Sequence, residues 1–245
     1  MKISVELVLR DKELFLREAE EVKKNFPLIE AVNIPDLTRY PLRSWEGCSI
    51  AKPFFKHVIP HIRARDIDKD APFIFKDRLD EDGVGEVLVI AGDRPEDSPA
   101  TVRDRVSLDI ISKFKRDMPE VKIYAGIDPY RGSFNEEAEY IKMKLDSGVS
   151  GFFTQPFFDL RKVESFVPLV KGVEVFWGVT PVLNKKMKDY WGKVNKVSFP
   201  EDFETSLNWN RNFAGKMLSF ASSNNFSVYF MPIKIDVVKY LGGIV

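Results

Sequence analysis

The chain has 245 residues, with 37 lysines and arginines against 37 aspartates and glutamates, two histidines and one cysteine. Zero net charge provides no general drive toward nucleic acid or an anionic membrane. One cysteine excludes an intrachain disulfide, and with so few histidines a Cys- or His-rich metal centre is not expected.

The opening MKISVELVLRDKE is too short for a signal peptide or a membrane span, and no later run approaches ~18 apolar residues. A soluble cytoplasmic protein is expected. The first strand is read over 3–9. Alternation puts Ile3, Val5, Leu7 and Leu9 on one face and Ser4, Glu6 and Val8 on the other. Glu6 should therefore face inward. It is either an acid with a raised pKa or one half of a structural ion pair, for example with Arg63.

A helix over 12–24 and a strand over 29–34 follow. Asn33 and Asp36 flank Ile34-Pro35, as an Asx turn or as site residues. The next helix, 44–57, carries Cys48 as a packing residue. Strand 59–64 brings His61 to barrel level, and helix 70–80 follows it. Strand 86–92 ends at Gly92-Asp93, where glycine permits close backbone approach to a ligand and the aspartate is a cap or a site residue.

The second half repeats the alternation. Helix 102–117 and strand 121–126 precede helix 134–147, with Asn135 as its cap and Gly148 just past its end. Strand 150–155 lies in GFFTQPFFD, which holds the only glutamine in the chain, Gln155. An amide buried between phenylalanine pairs needs partners from the fold or from a ligand. Asp159 suits the N-cap of a helix over 160–170. Strand 173–179 precedes helix 184–193, whose Tyr190 and Trp191 are core residues or a surface for stacking a flat heterocycle. Helix 202–222 is extra. Strand 226–231 and helix 234–241 complete the chain.

Eight strands, each followed by helix, predict a (β/α)8 TIM barrel as a single domain over 1–245, with the extra helix before the last strand. The absence of G-x-G-x-x-G after the first strand weighs against an open dinucleotide-binding sheet. In such a barrel the site lies at the C-terminal ends of the strands.

The segments SVEL, VNIPD, PHIRARD, LVIAGD, KLDSGVSGFFTQPFFD, WGVTPVLN and VSFP occur in this order. Together they resemble the methylenetetrahydrofolate reductase family over nearly the whole chain. The resemblance implies a barrel that binds FAD at the C-terminal face and reduces 5,10-methylenetetrahydrofolate to the 5-methyl form, in one-carbon metabolism and methionine biosynthesis. It implies Glu6 as general acid and Asp93 as the carboxylate near flavin and pterin. Gln155 would hydrogen-bond the pterin and Trp191 would stack on ligand. His61, Gly92, Glu137 and Lys144 would contact the cofactor, Lys144 at phosphate or ribose. NAD(P)H or a redox partner protein would be the electron donor. No nucleic-acid, membrane or metal partner is expected, and a homo-oligomer stays open.

Some positions depart from the family pattern. Ala91 stands where an arginine is usual, Met187 where a second glutamine is usual, and Lys234 is the nearest cation to the family's late arginine. They motivate an alternative: a noncatalytic or accessory pterin-binding barrel, without its own flavin, that docks an electron-transfer partner. A barrel aldolase or isomerase acting on phosphates is disfavoured by the lack of a Gly-rich loop after the seventh and eighth strands.

Overall fold

A computed structural model describes residues 1–92 and 106–245. Eight parallel strands close into a barrel: β1 (Ile3–Glu6), β2 (Ala31–Ile34), β3 (His57–Arg63), β4 (Glu86–Ile90), β5 (Lys122–Ile127), β6 (Gly151–Pro156), β7 (Glu174–Val179) and β8 (Ser227–Phe230). Closure is made by β1 on β8, with Ile3 opposite Val228 and Val5 opposite Phe230. The chain is an α/β barrel of the TIM type, as the strand–helix alternation predicts.

The helices are α1 (Lys12–Asn25), α2 (Cys48–Ala51), α3 (Lys76–Glu81), α4 (Val106–Asp117), α5 (Phe134–Asp146), α6 (Leu160–Phe166), α7 (Lys185–Lys193), α8 (Leu207–Ser223) and α9 (Val237–Leu241). Two are much shorter than expected. The 44–57 segment is a 3-10 turn followed by α2, and β3 begins at His57. Pro53 lacks an N–H for further helix, which fits the early stop. Only the end of 70–80 is helical, because Pro72 precedes it in an open loop. The cap of α5 is Ser133 rather than Asn135. Ser133 Oγ accepts from Glu136 N, and the Glu136 carboxylate reaches back to Ser133 N at 2.8 Å. Asp159 caps α6 as expected, and Cys48 is buried in α2.

Apolar side chains between strands and helices form the main core, with Trp177, Phe152, Phe157, Phe75 and Phe114 fully buried. Each such side chain stabilises the fold by roughly 1.5–3 kcal/mol relative to exposure. Inside the barrel, Ile59, Leu88, Tyr124, Phe153, Phe176, Tyr229 and Met231 form a second cluster. Phe153 and Phe176 stack at 4.2 Å, and Tyr124 meets both rings edge-on. Below them is a polar base. The Tyr124 hydroxyl donates to Glu174 at 2.7 Å and lies 3.3 Å from Glu86. Glu86 also meets His57 at 2.8 Å, and Lys2 pairs with Glu174 at 2.8 Å.

One irregularity shapes the opposite end. Phe153 pairs with Phe176, but the next pair is Pro156 with Gly178, so Thr154 and Gln155 together stand opposite Trp177 alone. This is a β-bulge. Gly178 is required there: a Cβ would lie 2.4 Å from the Thr154 carbonyl oxygen. The Thr154 hydroxyl takes the Gly178 N–H at 2.8 Å, which pins the bulge.

Candidate functional site at the barrel mouth

The C-terminal ends of the strands carry an acid, a neutral imidazole and an exposed amide. Glu6 ends β1 and faces inward, as alternation requires, because its carboxyl accepts the hydroxyl of Tyr229, a residue of the interior cluster. Its partner is therefore this phenol and not Arg63, whose Nε donates to Asp66 at 3.1 Å. Burial pushes the Glu6 pKa up to about 7, while the Tyr229 hydrogen bond acts in the opposite direction. A carboxyl so placed holds its proton near neutrality and can release it there.

Next to Glu6 in register is Asn33 on β2. The Asn33 amide donates to the Ser4 hydroxyl at 2.9 Å, which turns Asn33 Oδ1 toward His61 Nε2 at 3.3 Å. The chain of partners makes Nε2 the protonated nitrogen of His61 and leaves Nδ1 as an acceptor. Burial lowers the His61 pKa to about 3, so the ring is uncharged over the physiological range.

Gln155 corrects the expectation of a buried amide. It lies in the bulge of β6 and is exposed, with no hydrogen bond among the described residues. The two aromatic neighbours also part company. Phe153 is inside the barrel, whereas Phe157 packs outward against Phe166 and Trp177. Only the first belongs to the floor below the mouth. On the neighbouring strand Gly126 leaves open space where a side chain would stand. Gly92, after β4, has φ +85°, and its Cα faces the Arg63 side chain. Asp93 lies outside the described residues.

Three other expected site residues are not brought to this group. Lys144 is buried between α5 and β5, where its ammonium donates to the Gly126 carbonyl oxygen at 2.5 Å and sits 3.9 Å from the Tyr140 ring centroid. Burial lowers its pKa to about 7. Glu137 accepts the Asp128 N–H at 3.0 Å, and burial raises its pKa against the pull of Lys144. Trp191 is buried under α7 against Phe158, and its neighbour Tyr190 is the exposed ring, at 56%.

Two further polar residues just past strand ends, Asn184 and Asp128, serve local structure. Asn184 caps α7 by accepting Met187 N at 2.9 Å. Asp128 accepts Tyr130 N at 3.0 Å in an Asx turn. Asp36 is buried and held by Arg43, Nη2 to Oδ2 at 2.7 Å. Tyr229 was missed by sequence reasoning. The signal was available, since alternation in SVYFM puts Ser227, Tyr229 and Met231 on one face and Val228 and Phe230 on the other. Depressions elsewhere, beside α8 at Arg211 and Gly243 and at the base around Lys2 and Ser227, contain none of these groups. Among the described residues no helix is long and apolar enough to cross a membrane.

Comparison with known proteins bears on this arrangement. The sequence model of the family described as methylenetetrahydrofolate reductase matches residues 52–214. Among solved structures, an uncharacterized protein from Clostridium thermocellum that binds two copies of 5-methyl-5,6,7,8-tetrahydrofolic acid superposes with a TM-score of 0.62 at 12% identity, covering 98% of this chain and 92% of its own. An oxaloacetate acetylhydrolase matches with a TM-score of 0.60 at 10% identity, over 95% of this chain and 75% of that one. A 2,3-dimethylmalate lyase of the PEP mutase/isocitrate lyase superfamily matches at 0.59 and 9%, over 96% and 75%. At these identities the superpositions show a shared barrel and nothing of the chemistry.

Proposed function

Because this chain belongs to the methylenetetrahydrofolate reductase family, we propose that it binds a reduced folate, or a related pterin, across the barrel mouth and reduces a methylene group on it to methyl. The observation that carries the reading is Glu6, an inward carboxyl with a pKa of about 7 at the catalytic end of a barrel. Such a group delivers a proton to a departing amine at neutral pH. On a methylene bridge between two nitrogens, protonation of one nitrogen breaks its bond to carbon and leaves an iminium on the other. Glu6 is left as carboxylate, a negative charge near the cation it has helped to form.

Gln155 would orient the pterin. Its amide offers one acceptor and two donor hydrogens, the complement of an amino-pyrimidinone edge. Gln155 is exposed at the bulge, and Phe153 supplies apolar surface inside the barrel. His61 would contribute a neutral acceptor at Nδ1, fixed by Asn33 and Ser4.

FAD, when bound, would supply the hydride that completes the reduction. The residues at the mouth suit its ring end: a neutral His61, the left-handed backbone at Gly92 and the open space over Gly126. The family resemblance assigns Asp93 the role of the carboxylate near flavin and pterin. NAD(P)H or a redox protein would reload the flavin, and the methyl product would serve methionine synthesis in the cytoplasm.

A second reading is favoured by Lys144 and Glu137, which are engaged inside the fold rather than offered to a cofactor phosphate or ribose. In that reading the chain is an accessory pterin-binding barrel without its own flavin. The visible spectrum of the purified chain separates the two. Flavin bands, with FAD released on denaturation, support the reductase; a colourless protein that still binds 5-methyltetrahydrofolate supports the accessory barrel. A chain that binds neither flavin nor reduced folate contradicts both.

A further inference from the structure

We propose that Tyr229 is a positioning residue for Glu6: its phenol fixes one carboxyl oxygen and sets the pH at which the proton leaves. The inference deepens the reading of Glu6 as an acid, and its geometry stands without that reading. Tyr229 comes from β8, which closes the barrel on β1. It is almost fully buried, at 3% exposure. Its ring meets Phe153 edge-on, with centroids 5.2 Å apart and planes at 89°, and Phe153 is itself stacked on Phe176. The hydroxyl is thus held at the level of Glu6 and donates to Oε2. No hydrogen bond reaches Oε1 among the described residues, and it is the oxygen left for a substrate.

The surroundings leave Tyr229 as the one tuning group among the described residues. On β2 the facing residue is Asn33, which is neutral. From β3 come His61, uncharged at neutral pH, and Arg63, turned to Asp66. From β5 comes Tyr124, whose hydroxyl is bound to Glu174 and Glu86 at the base. From β6 and β7 come Phe153 and Phe176. Burial raises the carboxyl pKa and the phenol alone opposes it. A hydrogen bond to a carboxylate stabilises the ionised form, so the phenol keeps Glu6 from being too weak an acid to give up its proton.

The test is the titration of Glu6 itself, read by infrared difference spectroscopy of the protonated carboxyl band in the purified protein from pH 5 to 9. The band is assigned by its loss in Glu6→Gln. The wild-type midpoint is expected near 7. Tyr229→Phe keeps the edge-on packing and loses only the donor, and the midpoint should rise by roughly one pH unit. Replacing Tyr229 by 3-fluorotyrosine strengthens the donor, and the midpoint should fall; this variant carries the test if the phenylalanine protein does not fold. In active protein the alkaline limb of the rate profile should move the same way. An unchanged midpoint in either folded variant overturns the proposal. A shifted midpoint in a protein that reduces no pterin leaves Tyr229 in its role and overturns the reductase reading instead.

Discussion

The two ends of the barrel hold similar residues and put them to different ends. At the base, Tyr124, Glu86, Glu174, His57 and Lys2 form a closed set in which carboxylates meet a phenol, an imidazole and an ammonium. At the mouth, among the described residues, Glu6 meets one phenol, His61 has one ring nitrogen engaged, and the Gln155 amide has no partner. Satisfied polar groups stabilise and rigidify; those left with open capacity are available to a ligand. The difference lies in saturation, and neither residue type nor burial alone reveals it.

The largest effect should come from removing the acid at the mouth. Glu6→Gln is expected to keep the fold and to lower pterin reduction by about 10²–10⁴-fold, the usual contribution of general acid catalysis. Reduction of bound flavin by its donor should survive. Separate half-reaction kinetics check this, and a pterin half-reaction at wild-type rate would take Glu6 out of the mechanism.

The same residue predicts a pH dependence of stability. The folded pKa of Glu6, about 7, lies above its ordinary value of 4.5. Between those values the folded chain holds a proton that the unfolded chain has lost, so stability from this group is complete below 4.5 and falls as pH rises through 7. The loss is about 3 kcal/mol. His61 has the opposite sign. Its pKa falls from 6.5 to about 3, so its contribution is present above 6.5 and lost as pH drops toward 3. Unfolding by denaturant at pH 5 and pH 8 should show Glu6→Gln gaining on wild type at the higher pH. A stability difference between the two proteins that is the same at both pH values would mean that the carboxyl is solvated.

At the base the effect should appear in stability alone. Tyr124→Phe removes a donor shared by Glu174 and Glu86 and should cost about 2 kcal/mol. Turnover and ligand affinity should be unchanged. A loss of affinity in a folded Tyr124→Phe protein would blur the contrast between the ends.

How far the sequence carried this picture depended on the residue. All eight strands were legible from short Val/Ile/Phe runs, and the inward direction of Glu6 from alternation. Helix lengths were overestimated at 44–57 and 70–80, where composition is amphipathic but Pro53 and Pro72 interrupt. The exposure of Gln155 was not legible, because a one-residue bulge changes facing without leaving a composition signal. The same bulge separates Phe153 from Phe157. Lys144 and Trp191 sit at positions that the family resemblance marks as ligand contacts, yet local packing engages both side chains within the fold. Tyr229 was legible as inward-facing; its pairing with Glu6 needed the closure of β8 on β1, a contact across 223 residues.

The most direct test of the account is calorimetric titration of 5-methyltetrahydrofolate into wild type, Gln155→Leu and Tyr124→Phe, each checked for thermal stability on the same preparation. The account predicts binding to wild type, equal binding to Tyr124→Phe, and about tenfold weaker binding to Gln155→Leu, or roughly 1.4 kcal/mol. Because Gln155 is exposed, its melting temperature should be that of wild type. Wild-type affinity in Gln155→Leu, or no binding to any of the three, would contradict a pterin site at the mouth.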